Sequence, residues 1–236
     1  MYKKRFDGRK FDEIRDTEAK VGIVKRADGS AMFRIGKTTA LAAVYGPREL
    51  HPKFLQDPSK GVLRCNYNMM AFSGSGERVR PGASRRSREI SLVTTGALIP
   101  VLDLSEFPGT VVDVFVEIIQ SDAGTRCAGI CAASMALADA GFPMKDLVSA
   151  VSVGRVDDKL VVDLDKEEED HHEGRGVADI AVCMMPRSGK VSLLQMDGTV
   201  SKDELNKVLE MAKEACKKIY EVQKKALMEK YKIWKS

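Results

Sequence analysis

The chain has 236 residues, with 38 Lys+Arg against 34 Asp+Glu, 44% hydrophobic and 31% charged residues. That length allows one large domain or two small ones, and the composition excludes a disordered or fibrous chain. A formal net charge of +4 and only 6% aromatics exclude a uniformly basic or stacked-aromatic surface, so any nucleic-acid binding must come from local clusters.

Residues 1–7 are charged with no apolar stretch behind them, unlike a signal peptide. No uncharged stretch reaches the roughly 20 residues of a membrane helix. Cys65, Cys127, Cys131, Cys183 and Cys216 form no CxxC pair. Buried free thiols in a reducing cytoplasm are expected. His51, His171 and His172 are the only histidines and Trp234 the only tryptophan, which disfavours a zinc site.

In chain order, residues 18–46 read as strands: Val21 to Val24, a turn at Ala27-Asp28-Gly29-Ser30 with its Asp-Gly hairpin signal, then Ala31–Ile35 and Thr38–Tyr45. A Pro-rich charged loop leads to a strand at Gly61–Met69 and then to a Gly/Ser/Arg segment ending near Ser87. Ile90, Val93/Thr94, Ala97 and Val101 recur at helical period. Val111–Ile119 is β-branched and predicts a strand. Ala128–Ala140 is rich in small residues and predicts a tightly packed buried helix, ended by Gly141-Phe142-Pro143. Strands follow at 147–156, 160–164, 177–185 and 191–196. A helix from Ser201 to about Lys232 faces Leu205, Val208, Ala212, Cys216, Ile219 and Val222 inward. Ser201 and Glu204 have capping-box spacing. The fold class is α+β in one domain, 1–236.

Three clusters carry chemistry. Arg78, Arg80, Arg85, Arg86 and Arg88 precede the first helix. They read either as a solvated loop or as guanidinium forks for phosphate oxygens. Gly124-Thr125-Arg126 joins a strand to the buried helix. It reads either as a plain cap or as an oxyanion site built from backbone N–H groups, a hydroxyl and a cation. In the acidic loop Asp163 to Gly174, the run Glu167 to Glu169 reads as solvated. Asp179, by contrast, interrupts an apolar strand, where a carboxylate is costly unless it is paired or has a chemical role. Asp170 and Asp179 are candidates to hold a divalent cation or to pass a proton. Neighbouring His171 and His172 face opposite ways in extended chain and do not suit one metal ion.

Together these clusters resemble the RNase PH family of phosphorolytic exoribonucleases, most nearly its archaeal exosome branch. The likeness rests on Arg5-Phe6-Asp7-Gly8-Arg9, Arg26 to Ala31, Ala43 to Glu49, Arg85 to Ser91, Gly124 to Gly129, Ala136 to Met144 and Leu193 to Gly198. It implies two pseudo-symmetric βα lobes and a hexameric ring around a pore. In that ring the catalytic subunits would alternate with a related non-catalytic subunit as a trimer of heterodimers, beneath RNA-binding cap proteins. The implied reaction is 3′→5′ phosphorolysis of single-stranded RNA by inorganic phosphate, assisted by Mg²⁺ and reversible to tailing. The alternatives are a non-catalytic RNA-binding scaffold and a homohexameric enzyme trimming tRNA 3′ ends. By resemblance, Gly124, Thr125 and Arg126 bind phosphate. Arg85, Arg86 and Lys60 bind RNA. Asp179 and Asp170 are the catalytic, metal-binding carboxylates. The family spaces these carboxylates six residues apart, whereas Asp170 stands nine before Asp179. Glu173 is therefore the alternative first carboxylate.

Overall fold

A computed structural model describes residues 2–80 and 82–232; Pro81 and Trp234 fall outside them. Strands β1 (Thr17–Val21), β2 (Gly29–Ile35), β3 (Thr38–Glu49), β4 (Val62–Met69) and β5 (Thr110–Gln120) form one sheet, ordered β1-β2-β3-β5-β4. Only the β4–β5 pair is parallel. Strands β6 (Ser149–Val156), β7 (Lys159–Val162), β8 (Val177–Met185) and β9 (Lys190–Asp197) form a second, antiparallel sheet, ordered β7-β6-β8-β9. Helix α1 (Arg85–Leu98) packs on β4 and touches β9. Helix α2 (Thr125–Asp139) packs against β2, β3 and β5 of the first sheet and β6 and β8 of the second. The single turn α3 (Lys166–Glu169) follows β7, and α4 (Lys202–Lys232) covers β6 and reaches β1.

Thirteen of the fifteen residues of α2 are buried, which explains its composition. A helix with a sheet on each side has no solvent face to keep polar. Small residues let both sheets approach, and one hydrophobic cluster runs through the two lobes. The far end of α2 is tied down as well. Asp139 accepts from the Ser30 N–H at 3.0 Å and pairs with Lys230 of α4 at 2.5 Å. All five cysteines are buried and free. Burial pushes the Cys65 and Cys131 thiols up to about 12.

Several expected boundaries move. The first strand is Thr17–Val21 rather than Val21–Val24, because Gly22 turns the chain and bonds back to the Ser30 carbonyl at 2.8 Å. The Asp28-Gly29 pair is not the turn itself: Gly29 already pairs with Val44 inside the sheet. Strand β3 runs four residues past Tyr45, through an irregularity between Tyr45 and Arg48. Helix α2 begins at Thr125 instead of Ala128. On α4, Gln223 rather than Val222 is buried, its side chain bonded to Ser149 Oγ and the Val148 carbonyl. The Ser201–Glu204 capping box forms as expected.

The N-terminal segment is pinned by buried charge. The Arg5 guanidinium meets Glu168 through two bonds, Nε–Oε1 at 2.8 Å and Nη2–Oε2 at 2.7 Å. It also donates to the Val162 and Asp163 carbonyls. The Tyr2 hydroxyl donates to the same carboxylate. Arg15 forks onto Asp163 at 2.7 and 2.9 Å. Both side chains of the Arg5–Glu168 pair are fully buried. Glu168→Gln should therefore strand a buried guanidinium and lower unfolding free energy by about 3–5 kcal/mol, read by urea denaturation. A loss below about 1 kcal/mol would show that solvent reaches the pair.

Candidate active site

A cleft of about 620 Å³ opens where the two sheets meet the N-terminus of α2. Strand β5 ends at Gln120, and the next residues turn sharply through Ala123 (φ +59°) and Gly124 (φ +61°). The Thr38 hydroxyl donates to the Ala123 carbonyl at 2.7 Å and accepts from the Asp122 N–H at 2.8 Å. Arg15 donates to the Asp122 carbonyl. A left-handed alanine persists only where its surroundings hold it, and here they do. Gly124 is then the N-cap, and it offers no side-chain bond to the helix. The first N–H groups of a fifteen-residue helix are thus left to the cleft, with the positive end of its dipole. Thr125 and Arg126 line this wall.

Arg86 adds a second guanidinium. The paired Ser84–Ser87 cap starts α1 at Arg85, so Arg85 and Arg86 lie on its first helical turn and not in a loop. Arg86 faces the cleft; Arg85 is exposed and is not among the lining residues. Lys60 lies elsewhere. It precedes β4, which runs parallel to β5, so it sits at the opposite end of the sheet from Gly124. The separation along β4 is roughly 23 Å at the usual rise per residue.

The facing wall is acidic. On β8, Asp179 stands between Gly154 of β6 and Asp197 of β9. A Cβ on Gly154 would lie 1.9 Å from the Ala178 carbonyl oxygen, so only glycine lets β6 pass this close. The Ser152 hydroxyl donates to Asp179 Oδ1. Burial raises the Asp179 carboxyl above the usual carboxylate range and Asp197 adds to this; Ser152, Arg126 and Arg86 oppose it.

The two candidates for the first carboxylate sit differently. Asp170 lines the cleft, but it is exposed and pairs with Lys166 at 2.6 Å. Glu173 is exposed and lies outside the lining. Between Glu168, committed to Arg5, and Asp170 stands Glu169, half-buried in the cleft. Burial first and the Asp179 charge second push its carboxyl up to about 7. Sequence reasoning passed over Glu169 as part of a solvated run. Glu89 on α1 and Gln195 and Asp197 on β9 were missed as site residues too, although each lies in a segment that carried the family resemblance.

Among the described residues no three His, Cys, Asp or Glu side chains converge as a metal cage. The oxygen-only set of Asp179, Glu169 and Asp170 nevertheless suits Mg²⁺, which usually takes one or two carboxylates and fills its octahedron with water and substrate phosphate. His171 packs its ring near Tyr2 and Phe6, centroids 5.8 and 6.1 Å away. The cleft therefore has a cationic wall for oxyanions and an acidic wall able to hold a cation or a proton, which is the division of labour phosphoryl transfer needs.

Comparison with known proteins agrees. Exosome complex component Rrp41 of Thermococcus kodakarensis is 54% identical over 97% of this chain and 90% of its own length. The Methanopyrus kandleri protein of the same name is 50% identical over 96% and 93%. Rice Rrp46 superposes with a TM-score of 0.83 at 23% identity, covering 95% of this chain and all of that one. An Archaeoglobus fulgidus exosome with RNA bound to the active site gives 0.77 at 24% identity, covering 92% of each chain. Residues 13–143 match domain 1 and residues 146–215 match domain 2 of the 3′ exoribonuclease family. The chain belongs to this family, the RNase PH family.

Proposed function

We propose that this chain is the catalytic ring subunit of an archaeal exosome, a phosphate-dependent 3′→5′ exoribonuclease that releases nucleoside diphosphates. The observation that carries the reading is the meeting in one cleft of the α2 N-terminus with Arg126, the Arg86 guanidinium, and the carboxyls of Asp179 and Glu169. A scaffold has no use for this set. The relatives bear the name of an exosome component at half identity over nearly the whole length. A hexameric ring shared with a related non-catalytic subunit, under RNA-binding caps, is the assembly that follows. Among the described residues no helix is long and apolar enough to cross a membrane.

Inorganic phosphate would lie against Gly124, Thr125 and Arg126, where backbone N–H groups and a guanidinium neutralise it. Arg86 would hold the RNA phosphodiester next to it. A phosphate oxygen attacks the terminal phosphorus, the bond to the upstream 3′-oxygen breaks, and that oxygen takes a proton. Burial first and the Asp179 charge second push the Glu169 carboxyl up to about 7, so Glu169 is the proton donor at hand. Asp179, as its carboxylate, would hold Mg²⁺, which would neutralise charge on the reacting oxygens. Holding both phosphates in line would supply a large share of the barrier reduction.

The assembled ring, given a 3′-hydroxyl oligo-RNA, Mg²⁺ and phosphate, should release nucleoside diphosphate and should stall without phosphate. Nucleoside monophosphate instead would mean hydrolysis, and no product at all would favour a scaffold. Self-assembly of this chain into an active hexamer would favour the homohexameric enzyme. Arg126→Ala and Asp179→Asn should each lower turnover by about 10²-fold or more with the ring intact. Between the two acidic neighbours, Glu169→Gln should cost at least about 10²-fold, the usual scale of acid–base or charge-stabilising roles, and Asp170→Asn should stay within about threefold, as expected of an exposed ion pair. The reverse order would return the role to Asp170.

A further inference from the structure

The cationic wall holds a carboxylate that the proposed mechanism does not use. Glu89, one turn along α1 from Arg85, approaches the Arg126 guanidinium at 3.8 Å. An arginine gripped by a carboxylate at full contact has spent its fork and must break that pair before it takes a phosphate. Here the contact stops at the outer limit of an ion pair. What holds Glu89 back is a stronger bond from the other lobe: Gln195 Nε2 of β9 donates to Glu89 Oε1 at 2.6 Å. That is the same carboxylate oxygen that faces Arg126. The amide is committed to this bond. Its Oε1 is buried with no partner among the described residues, and turning it over would set that oxygen against the carboxylate. A buried polar atom left unpaired is a feature that calls for a reason.

We propose that Gln195 is a positioning residue that holds Glu89 off Arg126, so that the guanidinium stays available to the attacking phosphate. The inference rests on the phosphorolytic reading above and extends it. Arg126 comes from α2, Glu89 from α1 and Gln195 from β9. The phosphate site is thus set by a contact between lobes, and separating α1 from β9 would let Glu89 close on Arg126 and shut out the anion.

The test uses the assembled ring and inorganic phosphate, with KM for phosphate and kcat measured at saturating RNA. Gln195→Leu frees Glu89, and KM for phosphate should rise about tenfold, the scale of one charge-assisted hydrogen bond, with kcat within about threefold. Gln195→Asn, which is too short to reach Glu89, should do the same if the leucine variant fails to assemble. The double variant Gln195→Leu with Glu89→Gln should return KM to within about threefold of the parent. Glu89→Gln alone should not raise it. Three results would overturn the inference: an unchanged KM in both Gln195 variants, a double variant no better than the single, or a rise in KM with Glu89→Gln alone. Calorimetric titration of phosphate into the ring without RNA reads the same shifts without turnover. A parent ring that binds phosphate yet releases no nucleoside diphosphate would count against the phosphorolytic reading and leave this inference to be judged on binding.

Discussion

Helix α2 has no face turned to water, and the rest of the molecule is arranged around that constraint. Two sheets can share a helix only if its side chains are small enough for both to approach, hence the alanines, glycine and cysteines along it. Because α2 is gripped from both sides, its N-terminus cannot drift. The strand that feeds it, β5, ends in a turn that Thr38 and Arg15 hold in place. The helix amides, Thr125 and Arg126 are therefore presented at a fixed point where both lobes meet. Preorganised donors of this kind need no rearrangement as charge develops, which is why they are effective.

The acidic wall is built by a different device. Arg5 and Arg15 reach from the N-terminal segment into the turn after β7 and bind Glu168 and Asp163. Those buried pairs anchor α3, a helix of one turn that would not stand alone. The position of Glu169 thus depends on residues more than 150 places away in the chain, with 163 between Arg5 and Glu168. Buried ion pairs are poor sources of net stability, but they are good at specifying where a short segment sits.

Charge in the cleft is segregated rather than cancelled. Cations stand on α1 and α2, carboxyls on α3, β8 and β9. Burial, and after it the like charges on the acidic wall, raise Asp179 and Glu169, so this wall favours a bound cation or proton. Two residues break the pattern: Lys166 on α3 stands among the carboxyls and pairs with Asp170, and Glu89 is an anion among cations whose bond to Gln195 crosses between the lobes. The cleft is in this sense a property of the lobes together and of neither alone.

Much of this was legible in the chain itself. An alternating run marked β2, β-branched runs marked β3 and β5, small residues marked α2, and Ser201 with Glu204 marked the start of α4. Asp179 stood out because a carboxylate in an apolar strand needs a reason, and Gly124-Thr125-Arg126 because a glycine there opens a helix toward a ligand. Local rules reach that far because backbone geometry repeats every two or 3.6 residues. They do not reach the facing of Glu168, Glu169 and Asp170. In a single helical turn, successive side chains point about 100° apart, and the anchor of Glu168 on Arg5 is what turns Glu169 and Asp170 to the cleft. Nor do they reach Glu89 and Gln195, which lie 106 residues apart, or the separation of Arg86 from Arg85 and Lys60. Chain order and local periodicity set which residue types are available and on which elements they ride. The tertiary structure decided which of them share one cleft, because that depends on how two sheets close on a common helix.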